Sequence, residues 1–253
     1  MVAGVHALEV SGLTKRFGGL TAVDSATFAL ASGRVNAIIG PNGAGKTTLF
    51  NLVTGELRPD GGTIRVRGLD ITGLPPHKIV RAGISRTLQI KSIFGDLTVA
   101  DNVRTAVMAH DRIRSLFRPV SSYAAVNRRV DELIAEVGLD KYRERRASTL
   151  SYGDIALLEL ALALANKPKL LLLDEPVCGM GPEETERAVA IMRRVARMTD
   201  VVIIEHDMEV VFSLADHIVV MARGSVLAEG NPEEISSHPQ VQEAYLGAAE
   251  DED

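Results

Sequence analysis

Gly40-Pro41-Asn42-Gly43-Ala44-Gly45-Lys46-Thr47 keeps the spacing G-x-x-x-x-G-K-[ST] with nothing missing, a pattern that binds phosphate when it joins a strand to a helix. Glycines let backbone approach an anion closely. The N–H groups from Asn42 through Thr47 converge on it, Thr48 continues the helix start, and the helix end adds partial positive charge. Lys46 adds a full one. Far downstream, four leucines (Leu170 to Leu173) run into Asp174-Glu175-Pro176. A carboxylate at the end of a buried strand in an open α/β sheet emerges at the ligand crevice. Asp174 suits a hard cation such as Mg2+, which takes one or two carboxylates plus waters and phosphates. Glu175 suits a base that accepts a proton from an attacking water. The competing reading is an acidic turn that merely ends a strand.

The same arrangement recurs at Val201 to Ile204, followed by Glu205-His206-Asp207. His206 is either a structural residue or a second group at the crevice, and Gln89, closing the expected strand Ile84 to Leu88, carries the same two readings. In Leu150-Ser151-Tyr152-Gly153-Asp154, Ser151 and Gly153 stand where a helix begins. They make either an ordinary serine cap or an anion site.

These residues need a framework. Val35 to Ile39 reads as a buried strand leading into the glycine loop, and Thr48 to Val53 as the helix leaving it. Leu8 to Val10, Thr27 to Leu30 and Ile64 to Val66 read as short strands between glycine turns, which suggests an antiparallel edge sheet. Pro76 to Ala82 reads as a short helix stopped at Gly83. From Lys91 to Arg146 the pattern turns helical. Thr98 and Asp101 make a capping pair, and Val130, Leu133, Ile134 and Val137 share one face, with Gly138 as the stop. Ile155 to Ala165 reads as a largely buried helix. The helix after Pro182 carries Ala188, Ile191, Met192 and Val195 on one face, and Val201 to Ile204 returns as a strand, so parallel strands with helical crossovers are expected.

Composition bounds the rest. The chain has 253 residues, 46% hydrophobic and 24% charged, enough for one large domain or a domain with a subdomain. Its net charge of −5 argues against a nucleic-acid partner held by overall charge. Charge is uneven: Arg104 to Arg146 is rich in arginine, and Glu229 to Asp253 holds acids without Lys or Arg. A single cysteine, Cys178, excludes an internal disulfide framework and fits a reducing compartment. The N-terminus lacks a basic-then-apolar leader, and no run of eighteen apolar residues offers a membrane span.

The glycine loop, Gln89, LSYGD, LLLLDEP and IIEHD stand in the order seen in ATP-binding cassette ATPases, and the chain resembles that family over nearly its whole length. The resemblance implies a P-loop NTPase (RecA-like) α/β core with an antiparallel β subdomain and an inserted helical subdomain. It divides the chain into residues 1–90 (core with the β subdomain), 91–165 (helical subdomain with the LSYGD signature), 166–228 (second part of the core) and 229–253 (C-terminal helical segment and acidic tail). It implies ATP and Mg2+ as cofactors. Lys46 and the loop amides would hold the β- and γ-phosphates, with Thr47, Gln89 and Asp174 at the metal. Glu175 would be the base, His206 would touch the γ-phosphate, and Phe17 would stack on adenine unless it is a core aromatic.

The family also sandwiches ATP between two subunits, so Ser151 and Gly153 would face the nucleotide of a second ATPase subunit, identical or paralogous. Three positions depart from the family pattern. Tyr152 and Asp154 replace residues of the common LSGGQ signature, and Gly181 stands where an Asp or Asn is usual. Within the family, RTLQ, DEPVCGM, EHDM and the closing Tyr245-Leu246-Gly247 are similar to importers of branched-chain and hydrophobic amino acids, with urea and amide importers nearby. That implies permease subunits, a solute-binding protein acting through them, and a peripheral place on the cytoplasmic face of the inner membrane. Exporters, lipopolysaccharide-type extraction ATPases and soluble ABC proteins share the motifs; the soluble ones usually carry two cassettes or a long coiled coil.

Overall fold

Among the described residues two sheets organise the fold. The computed structural model describes residues 6–87, 93–113 and 122–250, and the side chains of these except 246–250. Strands β1 (His6–Phe17) and β2 (Leu20–Ala31) form a long antiparallel pair. They run well beyond the short strands expected, because bulges after Val10 and Leu13 break the alternation that marks a strand in sequence. β3 (Val35–Ile39) is buried at every position and leads through the glycine loop to helix α1 (Lys46–Val53). β4 (Gly61–Val66) and β5 (Leu69–Asp70) complete a four-stranded antiparallel sheet of order β2-β1-β4-β5. It is a sheet of its own and not an edge of the main one.

Helix α2 (Pro76–Arg81) ends at Ala82, before Gly83 at φ +93°, and β6 (Ile84–Arg86) follows. Leu88, the expected end of that strand, lies outside the described residues. Thr98 caps α3 (Val99–His110) by accepting the Asp101 N–H at 3.0 Å. Helix α4 (Ala124–Glu136) buries Val130, Leu133 and Ile134, with Val137 at its cap and Gly138 beyond it at φ +67°. α5 (Tyr152–Ala165) is capped by Ser151. β7 (Leu170–Asp174), α6 (Pro182–Val195) and β8 (Asp200–Ile204) alternate as expected. The chain closes with α7 (Met208–Leu214), a hairpin of β9 (His217–Ala222) and β10 (Ser225–Gly230), then α8 (Pro232–Ser236) and α9 (Pro239–Glu250).

The second sheet has the order β10-β9-β3-β8-β7-β6, parallel throughout except for edge strand β10. Its central strands divide their side chains between two cores. Ile38, Leu170, Leu172, Val202 and Ile204 pack with α1 and the four-stranded sheet, whereas Ala37, Ile39, Leu171, Leu173, Val201 and Ile203 pack with the helices on the opposite face. A strand covered on both faces must be apolar at consecutive positions, which is why Leu170 to Leu173 is unbroken. The carboxyl ends of β3, β7 and β8 then come side by side, since Asp174 is in register with Ile204 and Ile38 with Ile204 in turn. The glycine loop, the acid pair and His206 all leave from that edge.

Candidate nucleotide-binding site

The loop owes its shape to two crowded glycines. Gly40 (φ +152°) and Gly45 (φ +98°) take backbone conformations that L side chains avoid, and a Cβ on either would lie 2.2 Å from the Met221 carbonyl oxygen or 2.3 Å from that of Ala22. Gly43 (φ +76°) has open space where its Cβ would be, so its side facing away from the protein is free for a ligand. Gly45 caps α1 with no side-chain hydrogen bond. The first N–H groups of that helix thus keep an unfilled capacity for an anion.

Lys46 folds back along the loop and donates from Nζ to the carbonyls of Gly40 (2.6 Å) and Pro41 (3.0 Å). An ammonium has three protons, so one remains. Burial pulls the Lys46 ammonium below its ordinary value, and the charges of Glu175 and Asp174 oppose that shift. The two acids therefore lie within electrostatic reach of the lysine.

A cleft of about 640 Å³ opens at the loop, lined by Asn42, Gly43, Ala44, Gly45, Lys46, Thr47 and Thr48, with Glu175 and Ile204 from the strand ends and Phe17, Leu20 and Arg223 at its rim. Phe17 is 46% exposed. That rules out the core-aromatic reading and leaves a flat apolar ring on the lining of the cleft, a surface on which a planar base can stack.

Asp174 is buried. Its Oδ2 accepts from Arg86 Nη2 at 2.6 Å, while Oδ1 is buried with no hydrogen-bond partner. Arg86 is in turn held by Asn51 Oδ1 at 2.6 Å and lies 5.6 Å from the Phe50 ring centre. One carboxylate oxygen of Asp174 is thus committed to the protein and the other is an orphan with the hard-donor character that magnesium prefers. The residues present fit a nucleotide with its cation.

Glu175 adopts φ +50°, uncommon for a residue with a side chain. Its N–H donates to Ile204 O at 2.9 Å and its carbonyl accepts from the Cys178 N–H at 3.1 Å, which hold the turn in place. His206 is largely exposed, with Nδ1 3.8 Å from Glu175 Oε1. Glu205, fully buried, accepts from the Val177 N–H at 3.1 Å and the His206 N–H at 3.2 Å, so it ties the turn after Glu175 to the turn bearing His206. Burial raises its carboxyl above the ordinary glutamate value, against those hydrogen bonds.

Ser151 and Gly153 do not line this cleft. They sit at the start of α5, where Ser151 Oγ accepts the Asp154 N–H at 3.2 Å. Gln89 lies outside the described residues. Sequence reading gave no role to Asn51, Arg86 or Glu205. The only signal was that Arg86 and Glu205 lie within RTLQ and IIEHD, motifs already singled out. Among the described residues no cluster of three or more His, Cys, Asp or Glu forms a metal centre, and no helix is long and apolar enough to cross a membrane.

Known proteins resemble the chain in sequence and fold. The ABC transporter family model matches residues 23–178, well over half of the chain, and a model described as branched-chain amino acid ATP-binding cassette transporter matches residues 225–251. The chain is 43% identical over 251 residues to the high-affinity branched-chain amino acid transport ATP-binding protein BraF of Pseudomonas aeruginosa, covering 96% of this chain and 98% of that protein. It is 38% identical over 252 residues to LivG of Escherichia coli K12, a protein of the same description, with coverage of 96% and 98%. Among solved structures, a nucleotide-free ATP-binding cassette from an ABC transporter superposes with a TM-score of 0.84 at 28% identity, covering 95% of this chain and 98% of that one. The ADP conformation of an ATP-binding cassette gives 0.85 at 28%, covering 96% and 99%. With a family model over residues 23–178 and relatives at 38–43% identity covering nearly the whole of both chains, the protein belongs to the ABC transporter family and is an ATP-binding cassette ATPase.

Proposed function

We propose that the chain is the ATP-hydrolysing subunit of an importer for branched-chain or hydrophobic amino acids, or a related small solute, bound peripherally to permease subunits at the cytoplasmic face of the inner membrane. The observation that carries this reading is the full-length similarity to BraF and LivG together with the match of residues 225–251 to the branched-chain transporter model. The fourfold division at residues 90, 165 and 228 belongs to the same reading.

In this reading Lys46 and the amides of Asn42 to Thr47 bind the triphosphate, with Thr48 continuing the helix end and Phe17 supporting the base. Thr47, Gln89 and the orphan Oδ1 of Asp174 hold the cation. Magnesium, when bound, offsets phosphate charge as it develops on the leaving group. Glu175, beside Lys46, accepts a proton from the attacking water, and His206 contacts the terminal phosphate and orients the carboxylate. Ser151 and Gly153 lie off the cleft, which supports a role toward the nucleotide of a second copy or paralogue. Closure of the pair on ATP and its release after hydrolysis would drive the permease.

Deleting the gene and measuring uptake of labelled leucine and isoleucine, with copurification of membrane partners, tests the reading. Loss of uptake restored by the wild-type chain but not by Glu175→Gln supports it. Unchanged uptake, or copurification with an export system, refutes it.

A further inference from the structure

The cap of the signature helix is held by a residue outside the motif. Ser151 Oγ donates to Glu184 Oε1 at 2.8 Å. Glu184 sits in the first turn of α6, the helix that follows the turn after Glu175, and its Oε2 accepts the Gly181 N–H at 3.4 Å. The contact is close. A Cβ on Gly153 would lie 2.9 Å from Glu184 Cδ and 3.0 Å from Oε1, so glycine there leaves room for this carboxylate. One turn further along both helices, Arg187 Nη1 donates to Asp154 Oδ1 at 2.8 Å and Nη2 donates to the Gly138 carbonyl at 2.5 Å. Two parallel links thus fasten α5 to α6, and Asp154 and Gly181, two of the three departures from the family pattern, are bonded to the residues that form them.

A serine hydroxyl has one proton and two lone pairs. Here the proton goes to Glu184 and one lone pair takes the Asp154 N–H, which leaves Ser151 with no proton for a phosphate oxygen. The carboxylate also lies against Ser151 and Gly153, placing a negative charge where another anion would have to arrive.

We propose that Glu184 is a latch on the signature: it withholds the Ser151 proton and opposes closure on the triphosphate of the second copy until its side chain turns away. The latch rests on the two-copy reading given above. Glu184 stands at the start of α6 and bonds Gly181, at the end of the turn that follows Glu175, so the latch lies next in the chain to the catalytic turn.

The test uses the full chain carrying Glu175→Gln, so that ATP is not consumed, with light scattering used to follow dimer formation against ATP concentration in magnesium. Glu184→Gln keeps a side chain able to cap Gly181 but removes the charge. It should lower the ATP midpoint roughly three- to tenfold, the scale of one net hydrogen bond. In a Ser151→Ala background, where only the effect of the charge remains, the same substitution should shift the midpoint clearly less than it does in the parent, a coupling that a purely structural role would not produce. Thermal unfolding of Glu184→Gln within a few degrees of the parent shows that the fold is kept, and Glu184→Ala gives a second reading without any acceptor. An unchanged or raised midpoint in Glu184→Gln overturns the latch while leaving the two-copy site standing. No ATP-dependent dimer in any of these chains overturns both.

Discussion

Arg86→Ala should destabilise the protein more than any other single change at the site that spares the glycine loop. The Arg86 side chain is 8% exposed and that of Asp174 1%, so both charges are desolvated and the surface value of an ion pair does not apply. Removing one partner of a buried pair leaves the other charge uncompensated and costs about 3–5 kcal/mol. The lost bond to Asn51 adds roughly 1 kcal/mol. For a chain of this size each kcal/mol lowers the melting temperature by about 2–4 °C, which gives a fall of about 8–24 °C. Differential scanning calorimetry on the nucleotide-free protein measures this directly. The double variant Arg86→Ala with Asp174→Asn is the control: once the charge is gone Arg86 has little left to compensate, so the pair should lie at least about 1 kcal/mol above the sum of the single losses. A fall of less than about 3 °C for Arg86→Ala, or strict additivity in the double variant, would refute the reasoning that Arg86 compensates and orients the buried Asp174 carboxylate.

Further outcomes follow from the same geometry. Glu175→Gln should retain ATP binding and lose turnover by about 10²-fold or more, as expected for removal of a general base; a phosphate-release assay showing wild-type turnover removes Glu175 from that role. Gly45→Ala should cost at least about 1–3 kcal/mol in chemical denaturation, because φ +98° is strained for alanine and its Cβ would meet the Ala22 carbonyl oxygen at 2.3 Å, and ATP binding should fall with it. Full binding in a stable variant would contradict this. Glu205→Ala leaves the Val177 and His206 N–H groups unpartnered, a loss of about 1–3 kcal/mol with a lower kcat. Because burial raises the Glu205 carboxyl, folding favours its protonated form. Relative to Glu205→Gln, wild type should be most favoured below the ordinary glutamate value of 4.5 and should lose that advantage as pH rises through the raised one; a flat difference across that range would contradict the assignment.

How much was visible in the chain itself depended on sequence distance. Val35 to Ile39, Leu170 to Leu173 and Val201 to Ile204 stood out because two-sided burial demands unbroken apolar runs, and each is followed at once by its functional residue. The capping pair Thr98 and Asp101 is local and was equally legible. β1 and β2 were foreshortened because Gly12 and Ser25 have positive φ and the register slips nearby, which hides the alternation. At the site, the partners of the motifs were the hidden part. Arg86 meets Asp174 across 88 positions, Ser151 meets Glu184 across 33 and Val177 meets Glu205 across 28. Such pairings follow from strand order and helix packing, and no spacing rule encodes them. Phe17 could be separated from a core aromatic only by its exposure.

The central claim is that one copy grips ATP with its glycine loop and a second copy completes the pocket with the start of α5. A structure of Glu175→Gln with ATP and magnesium tests it most directly. The account predicts a head-to-tail pair, each triphosphate bound between Lys46 of one chain and Ser151 and Gly153 of the other. ATP bound to a single chain, with Ser151 still on Glu184 and solvent over the terminal phosphate, would contradict it.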